Sequence, residues 1–438
     1  MALGGGAFLA QNKILPGAYI NVVSAANASA SLSERGIATM PLILDWGVQG
    51  AVMEVTSGDF QKNSLKLFGY EYTAPEMKGL RDLFSNIRMA YLFRLGVGGA
   101  KAVNAYAAAM YEGARGNELK VAIARNVDDE AKFDVSLYFG AARVDRQTVS
   151  SAADLVDNGF VTWNKNAELT EATETAGTPL TGGVSPTPTK GDYQAYLDVI
   201  ERYSFNGLGC PSNDPDIKSL FAAFTKRIRD EEGMKFQCVA YANPADHEGV
   251  VNVLNRATDE GAYVWSAVYW VTGVIAGTAV NRSALNKVYD GEFTLDVNYT
   301  QAQLENAINA GEFAFHQVGS DIRVLSDINS LVSVSPEKGE DFKQNQVIRV
   351  IDQIANDIAV LFNTKYMGII PNDASGRISL WNDIVKHHQQ LQSLRAIEDF
   401  RSEDITVEQG DTKRSVVVND VITAVNAMAQ LYMTCVVA

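Results

Sequence analysis

The hydrophobic period changes twice along this chain, and that change limits the fold more than any single motif. From about residue 31 to 99 the apolar runs IATMPLILDWG, AVMEVTS and MAYLFRLG are bounded by Gly, Pro and Asp, the pattern of buried strands. Between them SGDFQKNSLKLFG offers Ser57 as a helix cap. PEMKGLRDLFS then sets Met77, Leu80, Leu83 and Phe84 at helical spacing behind Pro75. Between 100 and 189 the stretches ELKVAIARN, KFDVSLYFG, ARVDRQTVS and GFVTWNKN alternate apolar and polar residues, as antiparallel strands with one wet face do. From 190 to 340 the helix and strand rhythm returns, through DYQAYLDVIERY, DPDIKSLFAAFTKRIRDEEG and MKFQCVAYANP. A chain that leaves a rhythm and resumes it carries an insertion in place of a surface loop.

The expected fold is therefore a multidomain α+β or α/β protein. Residues 31–99 and 190–340 form a mixed-sheet α/β body, and 100–189 an inserted antiparallel β-sandwich or barrel. Residues 341–438 form an α+β C-terminal domain, 1–30 an N-terminal arm, and both arms are extended. ELTEATETAGTPLTGGVSPTPTKGD, at the end of the insertion, reads as a long exposed loop because its Thr, Gly and Pro bury no face. In the last hundred residues Val347, Val350, Ile351, Ile354, Ile358 and Leu361 form one helical stripe, and Leu380, Ile384, Leu391 and Leu394 another. DITVEQGDTKRSVVV reads as a hairpin turning at QGDTK, and LYMTCVVA as a closing strand.

Composition narrows the function. The 438 residues carry a formal net charge of -15 and no Lys/Arg run, which argues against a nucleic-acid partner. The absence of a run of about eighteen apolar residues argues against membrane insertion, and MALGGGAFLAQNK lacks the flanks of a secretion signal. Cys210, Cys238 and Cys435 are an odd set without C-x-x-C spacing and read as buried small hydrophobes. His247, beside Asp246 and Glu248, lacks the H-E-x-x-H register of a helical zinc site. His387 and His388 are adjacent, point to different sides of their helix and leave at least one ring in solvent. RLGVGGAKAVNAYA could hold a phosphate at a strand-to-helix turn, but such turns are more often plain connectors and the Rossmann register is missing. No catalytic residue, metal or cofactor is assigned; the alternative function is a hydrolase-like enzyme on an α/β body.

The ends carry the remaining signal. PGAYINVV places Tyr19 and Val23 on one face of a strand and Ile20 and Val22 on the other, with Asn21 between. A lone strand leaves backbone groups unpaired until it finds a sheet edge, in its own subunit or in a neighbour. AANASASLSERG, about twelve small and polar residues, spans up to roughly 40 Å when extended and so favours a neighbour.

PGAYINVV, EGARGNELKVAI at 112–123 and the ending VVVNDVITAVNAMAQLYMTCVVA resemble the matching stretches of contractile phage tail sheath proteins. The likeness is to those of phages and defective phage-like particles of Gram-positive bacteria, and order and spacing carry it over essentially the whole chain. It implies a structural subunit, not an enzyme, that stacks as hexameric rings around a tail tube and contracts to drive the tube through a cell envelope. Its partners would be other copies of itself, the tail tube protein, and the baseplate and tail terminator proteins. Its place would be the tail of a virion or phage-like particle, after assembly in the host cytoplasm. The resemblance makes Tyr19, Ile20, Asn21, Val22 and Val23 a donated strand. Met433, Thr434, Cys435, Val436 and Val437 become a C-terminal pairing strand, and Ser415, Val416, Val417 and Val418 part of the receiving sheet. Tube contact falls to the helix around Arg377, Lys386 and Arg395.

Overall fold

The computed structural model describes residues 32–170 and 173–437. The body opens with β1 (Ile37–Leu42), β2 (Val52–Thr56), α1 (Ser57–Phe68), α2 (Lys78–Phe84) and β3 (Met89–Arg94). β1 pairs with β3 in parallel over six residues, and β2 closes that edge antiparallel. The cap of α1 is Thr56, one residue before the Ser57 expected from the sequence. Its hydroxyl accepts the Asp59 amide hydrogen at 3.1 Å while the Asp59 carboxylate accepts that of Thr56, a reciprocal capping box. Ser57 instead donates to the Ile87 carbonyl at 2.9 Å.

The insertion holds β4 (Ala107–Ala109), β5 (Leu119–Arg125), β6 (Phe133–Phe139), β7 (Ala142–Val149), β8 (Val161–Trp163) and β9 (Thr175–Pro179). A four-stranded antiparallel sheet runs β7-β6-β5-β9, and β4 pairs with β8. Leu119, Val121, Ile123, Leu137 and Val161 share its buried core with Trp46. The Thr-rich stretch is not a loop throughout. Thr175–Pro179 adds to the free edge of β5 with a bulge, and Leu180 behind it is fully buried. Composition alone hides such a strand, because its backbone bonds depend on an edge supplied by residues over fifty positions earlier. No helix follows the glycines at 96–99. The amide hydrogens of Ala100 and Val103 are donated to the carbonyls of Val184 and Thr181, so the stretch is a connector.

The chain resumes with α3 (Lys190–Ile200), β10 (Gly207–Cys210), α4 (Pro215–Arg227), β11 (Gln237–Tyr241), β12 (Val250–Val253), α5 (Ala267–Gly277), α6 (Gln301–Asn309) and β13 (Glu312–Phe313). The sheet order is β13-β12-β11-β10-β1-β3-β2, parallel except for β2. Residues of α1, α2 and α5 cover one face, and those of α3 and α4 the other. α5 is apolar almost all round, as a helix wedged between layers must be. Its close approach to the segment after α2 needs glycine: a Cβ on Gly277 would lie 1.7 Å from the Asn86 carbonyl oxygen.

Asp82 on α2 is buried, accepts the Glu292 amide hydrogen at 2.8 Å through one oxygen and leaves the other without a partner. Burial raises its carboxyl to about 7. A carboxyl raised in the fold stabilises it while protonated, and this contribution is lost as pH climbs toward and through 7. Asp82→Asn keeps the acceptor oxygen. It is expected to raise stability by roughly 2 kcal/mol at pH 8 with the gain shrinking toward pH 4, read from thermal melts across pH. An equal gain at both pH values would refute this assignment.

β14 (Phe315–Val318) and β15 (Asp321–Val324) form a hairpin. They are followed by α7 (Asn345–Leu361), α8 (Ala374–Ser393), β16 (Ile397–Glu398), β17 (Ile405–Gln409), β18 (Val416–Asp420) and β19 (Thr423–Ala424). Two compact units emerge. The larger comprises Ser33–Asn356, Leu391–Phe400 and the residues from Ile422 onward, and the smaller Asp357–Gln390 and Arg401–Val421.

Candidate assembly surfaces

The smaller unit is organised around the β17–β18 hairpin. Its register runs from Ile405↔Asp420 to Gln409↔Val416. The expected turn is present: the Gly410 amide hydrogen goes to the Ser415 carbonyl at 2.9 Å and that of Ser415 to Thr412 at 3.1 Å. Ser415 thus closes the turn, while Val416, Val417 and Val418 lie in β18. Side chains of α8 and its lead-in hold the hairpin at three heights. Asn372 Nδ2 donates to the carbonyls of Lys413 (3.1 Å) and Ser415 (2.8 Å), Trp381 Nε1 to that of Ile405 (3.0 Å), and His388 Nε2 lies 2.9 Å from the Asp420 carboxylate. The sheet has two strands, so among the described residues each has an outer edge without a ladder partner. On β18 that edge bears Val417, 46% exposed, and Val418. An exposed apolar edge is a template for a further strand.

His387 and His388 are both fully buried, against the expectation that at least one is solvated. Each ring meets a carboxylate, His387 Nε2 that of Asp357 at 2.9 Å and His388 Nε2 that of Asp420, so an acidic side chain stands where solvent was expected.

The tube-contact candidates are not gathered on one face. Arg377 and Lys386 are nine residues apart, half a turn out of phase on α8. Arg377 donates to the carbonyl and the side-chain oxygen of Asn372, whereas Lys386 stands on the exposed stripe with Ile378, Asn382 and Gln390. Arg395 lies beyond the helix end, in the larger unit, with a left-handed φ of 61°.

In the larger unit the segment after β19 has no regular structure and is exposed. Met428, Leu431, Tyr432, Met433, Val436 and Val437 are apolar and at least three-quarters exposed. Met433–Val437 therefore has no strand partner among the described residues. Cys435 is exposed here, unlike Cys210 and Cys238, which are buried as expected. Tyr19–Val23 lie outside the described residues.

The larger unit is locked by buried charge. Arg349 on α7 donates to Asp327 and to the Arg282 carbonyl; Asp327 also accepts from Asn345 Nδ2 (3.0 Å) and the Ala284 amide (2.8 Å). Arg229 makes a two-pronged pair with Asp352 at 2.7 and 2.8 Å. The sequence stripe missed this. Val347, Val350 and Leu361 are buried as expected, but α7 also buries Gln346, Arg349, Asp352, Gln353 and Asp357, while Ile351, Ile354 and Ile358 are only half-buried.

His247 is buried, 3.0 Å from Asp230 and 3.7 Å from Glu248. Its Nδ1 accepts the Gly249 amide hydrogen at 3.0 Å, which leaves Nε2 to carry the proton toward Asp230. Burial pushes the imidazole below its ordinary value. Lys338 Nζ sits 2.8 and 3.0 Å from the two Glu248 oxygens, so this carboxylate is already paired with an ammonium. The trio, with Lys338, forms an ion-pair cluster whose ligand atoms lie within 4.8 Å of one another.

A body with an inserted β domain, a hairpin with two strands among the described residues and an exposed apolar tail points to an assembly protein. Comparison with known proteins agrees. Residues 187–330 match the phage tail sheath protein central domain, 337–438 the phage tail sheath C-terminal domain, 97–185 the phage tail sheath protein beta-sandwich domain, and 35–95 the tail sheath protein Gp18 domain III N-terminal region. The phage-like element PBSX protein XkdK of Bacillus subtilis is 30% identical over 98% of this chain and 99% of its own. The sheath tail protein of Desulfitobacterium hafniense superposes with a TM-score of 0.82 at 35% identity, covering 94% of this chain and 98% of that one. The helical sheath of the anti-feeding prophage in its contracted state shares the fold, with a TM-score of 0.59 at 14% identity over 97% and 99%. The chain belongs to the phage tail sheath family. It is a contractile tail sheath subunit, a structural component of a phage or phage-like particle tail and not an enzyme.

Proposed function

We propose that this subunit is tied into its sheath by sharing strands. Tyr19–Val23 of one copy and Met433–Val437 of another add to the hairpin sheet containing Ser415–Val418 of a third. The single observation that carries this is the coexistence, in one chain, of an apolar β18 edge without a ladder partner among the described residues and an exposed apolar tail. Each added strand would form about five backbone hydrogen bonds worth roughly 1 kcal/mol net apiece, a modest link that a lattice multiplies. Stacked hexameric rings built in this way surround a tail tube and end on baseplate and terminator proteins. Lys386, on the exposed stripe of α8, faces the tube; Arg377 and Arg395 lie elsewhere and are less suited to it. Contraction needs no nucleotide if assembly traps the extended lattice behind a barrier, and strand tethers keep subunits joined while the bodies turn. The drive carries the tube through a cell envelope, in a virion tail assembled in the host cytoplasm. Electron microscopy of purified protein is expected to show tubes for the full chain and none for a chain lacking residues 1–23. Identical tubes from the shortened chain would end the strand-sharing reading.

A further inference from the structure

The larger unit carries a hollow of about 840 Å³ outside the carboxyl end of β1. In a parallel sheet this is where strand order reverses and where binding crevices form: β1 is followed through helices on one face to β3, and β10 through α4 on the other to β11. The hollow is acidic, with Asp45, Glu76, Asp259 and Glu260 in its lining and Lys78 as the one basic residue there. Two of the carboxylates are already committed. Asp45 accepts the Tyr70 hydroxyl at 2.9 Å, and Asp259 pairs with Lys78 at 3.1 Å and accepts the Thr294 amide hydrogen at 2.7 Å. Glu76 and Glu260 are exposed, and among the described residues their carboxylates form no hydrogen bond or ion pair. Aromatic rings complete the walls, and Lys78 Nζ lies 4.6 Å from the centre of the Phe293 ring, so a cation on an aromatic face suits this site.

The smaller unit presents the opposite charge. The hairpin turn projects Lys413 and Arg414, both exposed and without side-chain partners among the described residues. Its backbone is rigid, held by Asn372 and by the Thr412–Ser415 bonds, so little ordering remains to be done on binding. With Arg377 the two cations line a second hollow of about 450 Å³ that has no carboxylate in its lining. The turn also carries Asp411, exposed, so it sets two cations against one carboxylate in a chain with a net charge of -15.

We propose that the Lys413–Arg414 turn of one copy seats in the acidic hollow of a second copy, against Glu76 and Glu260. The two surfaces differ, so the contact is head-to-tail, the kind that builds a ring or an open helical polymer according to the rotation between copies. Rim charges add little affinity singly but set register and reject wrong partners. The contact rests on the polymeric reading above and adds a body contact to the shared strands.

The test is charge reversal in the full chain, read by sedimentation and electron microscopy. Lys413→Glu with Arg414→Glu, or Glu76→Lys with Glu260→Lys, is expected to raise the concentration needed for tube formation about tenfold. The chain carrying all four reversals, and an equal mixture of the two double variants, are expected to recover tubes. A carbodiimide cross-link gives a second readout in the unmodified protein. Tubes assembled from equal parts of light and ¹⁵N-labelled chains are expected to yield mixed light–heavy peptides joining Lys413 to Glu76 or Glu260. Double variants that assemble like the parent, four reversals that fail to rescue, or tubes lacking mixed-isotope peptides would each overturn the contact. If charge-reversed chains form normal tubes while removal of residues 1–23 abolishes them, strand sharing stands and this contact falls.

Discussion

Removing residues 428–438 is expected to abolish tube formation while leaving the melting temperature of the isolated subunit within about 1 °C of the parent. The asymmetry follows from where the segment makes contacts. Val425 donates its amide hydrogen to Ala396 and that of Ala427 goes to Gln346 Oε1, so the chain is anchored as far as residue 427. Beyond it Met428 is 100% exposed and Val437 95%, and removing side chains this exposed leaves the subunit's stability nearly unchanged. The same side chains would contribute about 1.5–3 kcal/mol each if fully buried against a neighbour, so a polymer that uses them loses far more than one link. A large drop in melting temperature would place the tail's role inside its own subunit.

The second large effect is thermodynamic. Asp327→Ala is expected to destabilise the larger unit by about 3–5 kcal/mol, measured by denaturant unfolding, because it strands the buried Arg349 guanidinium. Arg349 is 1% exposed at its side chain and Asp327 2%, so water cannot replace the lost partner. Changing both together, Asp327→Leu with Arg349→Met, is expected to recover most of the loss, since a buried pair replaced by apolar groups of similar volume is often neutral. Loss of less than about 1 kcal/mol in Asp327→Ala would show that the pair is solvated.

Much of this architecture could be read before any coordinates, and the parts that could not share a cause. Buried strands announce themselves in β1 and β11, and Asp214 before Pro215 marks the start of α4. The antiparallel strands of the insertion alternate visibly because their own side chains define the two faces. β9 does not, since its strand character comes from the edge of β5. The paired histidines misled for the same reason: adjacency fixes that they diverge, but only the fold brings Asp357 to one and Asp420 to the other. In α7 the apolar stripe was legible and the polar face was not, because its burial is set by Asp327, Asn345 and Asp352 finding partners from distant segments. As for the assembly surfaces, the hairpin and its turn were legible, and the tail's apolar character was plain. Its lack of a partner in its own subunit was not, because exposure belongs to the fold and not to the residue. The half-turn separation of Arg377 and Lys386 was available from their numbers alone.

The claim that joins these observations is that main-chain groups left open in one copy are closed by another. Hydrogen exchange of free subunits and assembled tubes, followed at the amides of Val416–Val418 and Met433–Val437, tests it most directly. Both segments are expected to slow by at least about a hundredfold on assembly, as amides entering a ladder do. Unchanged exchange at both segments in well-formed tubes would contradict strand sharing outright.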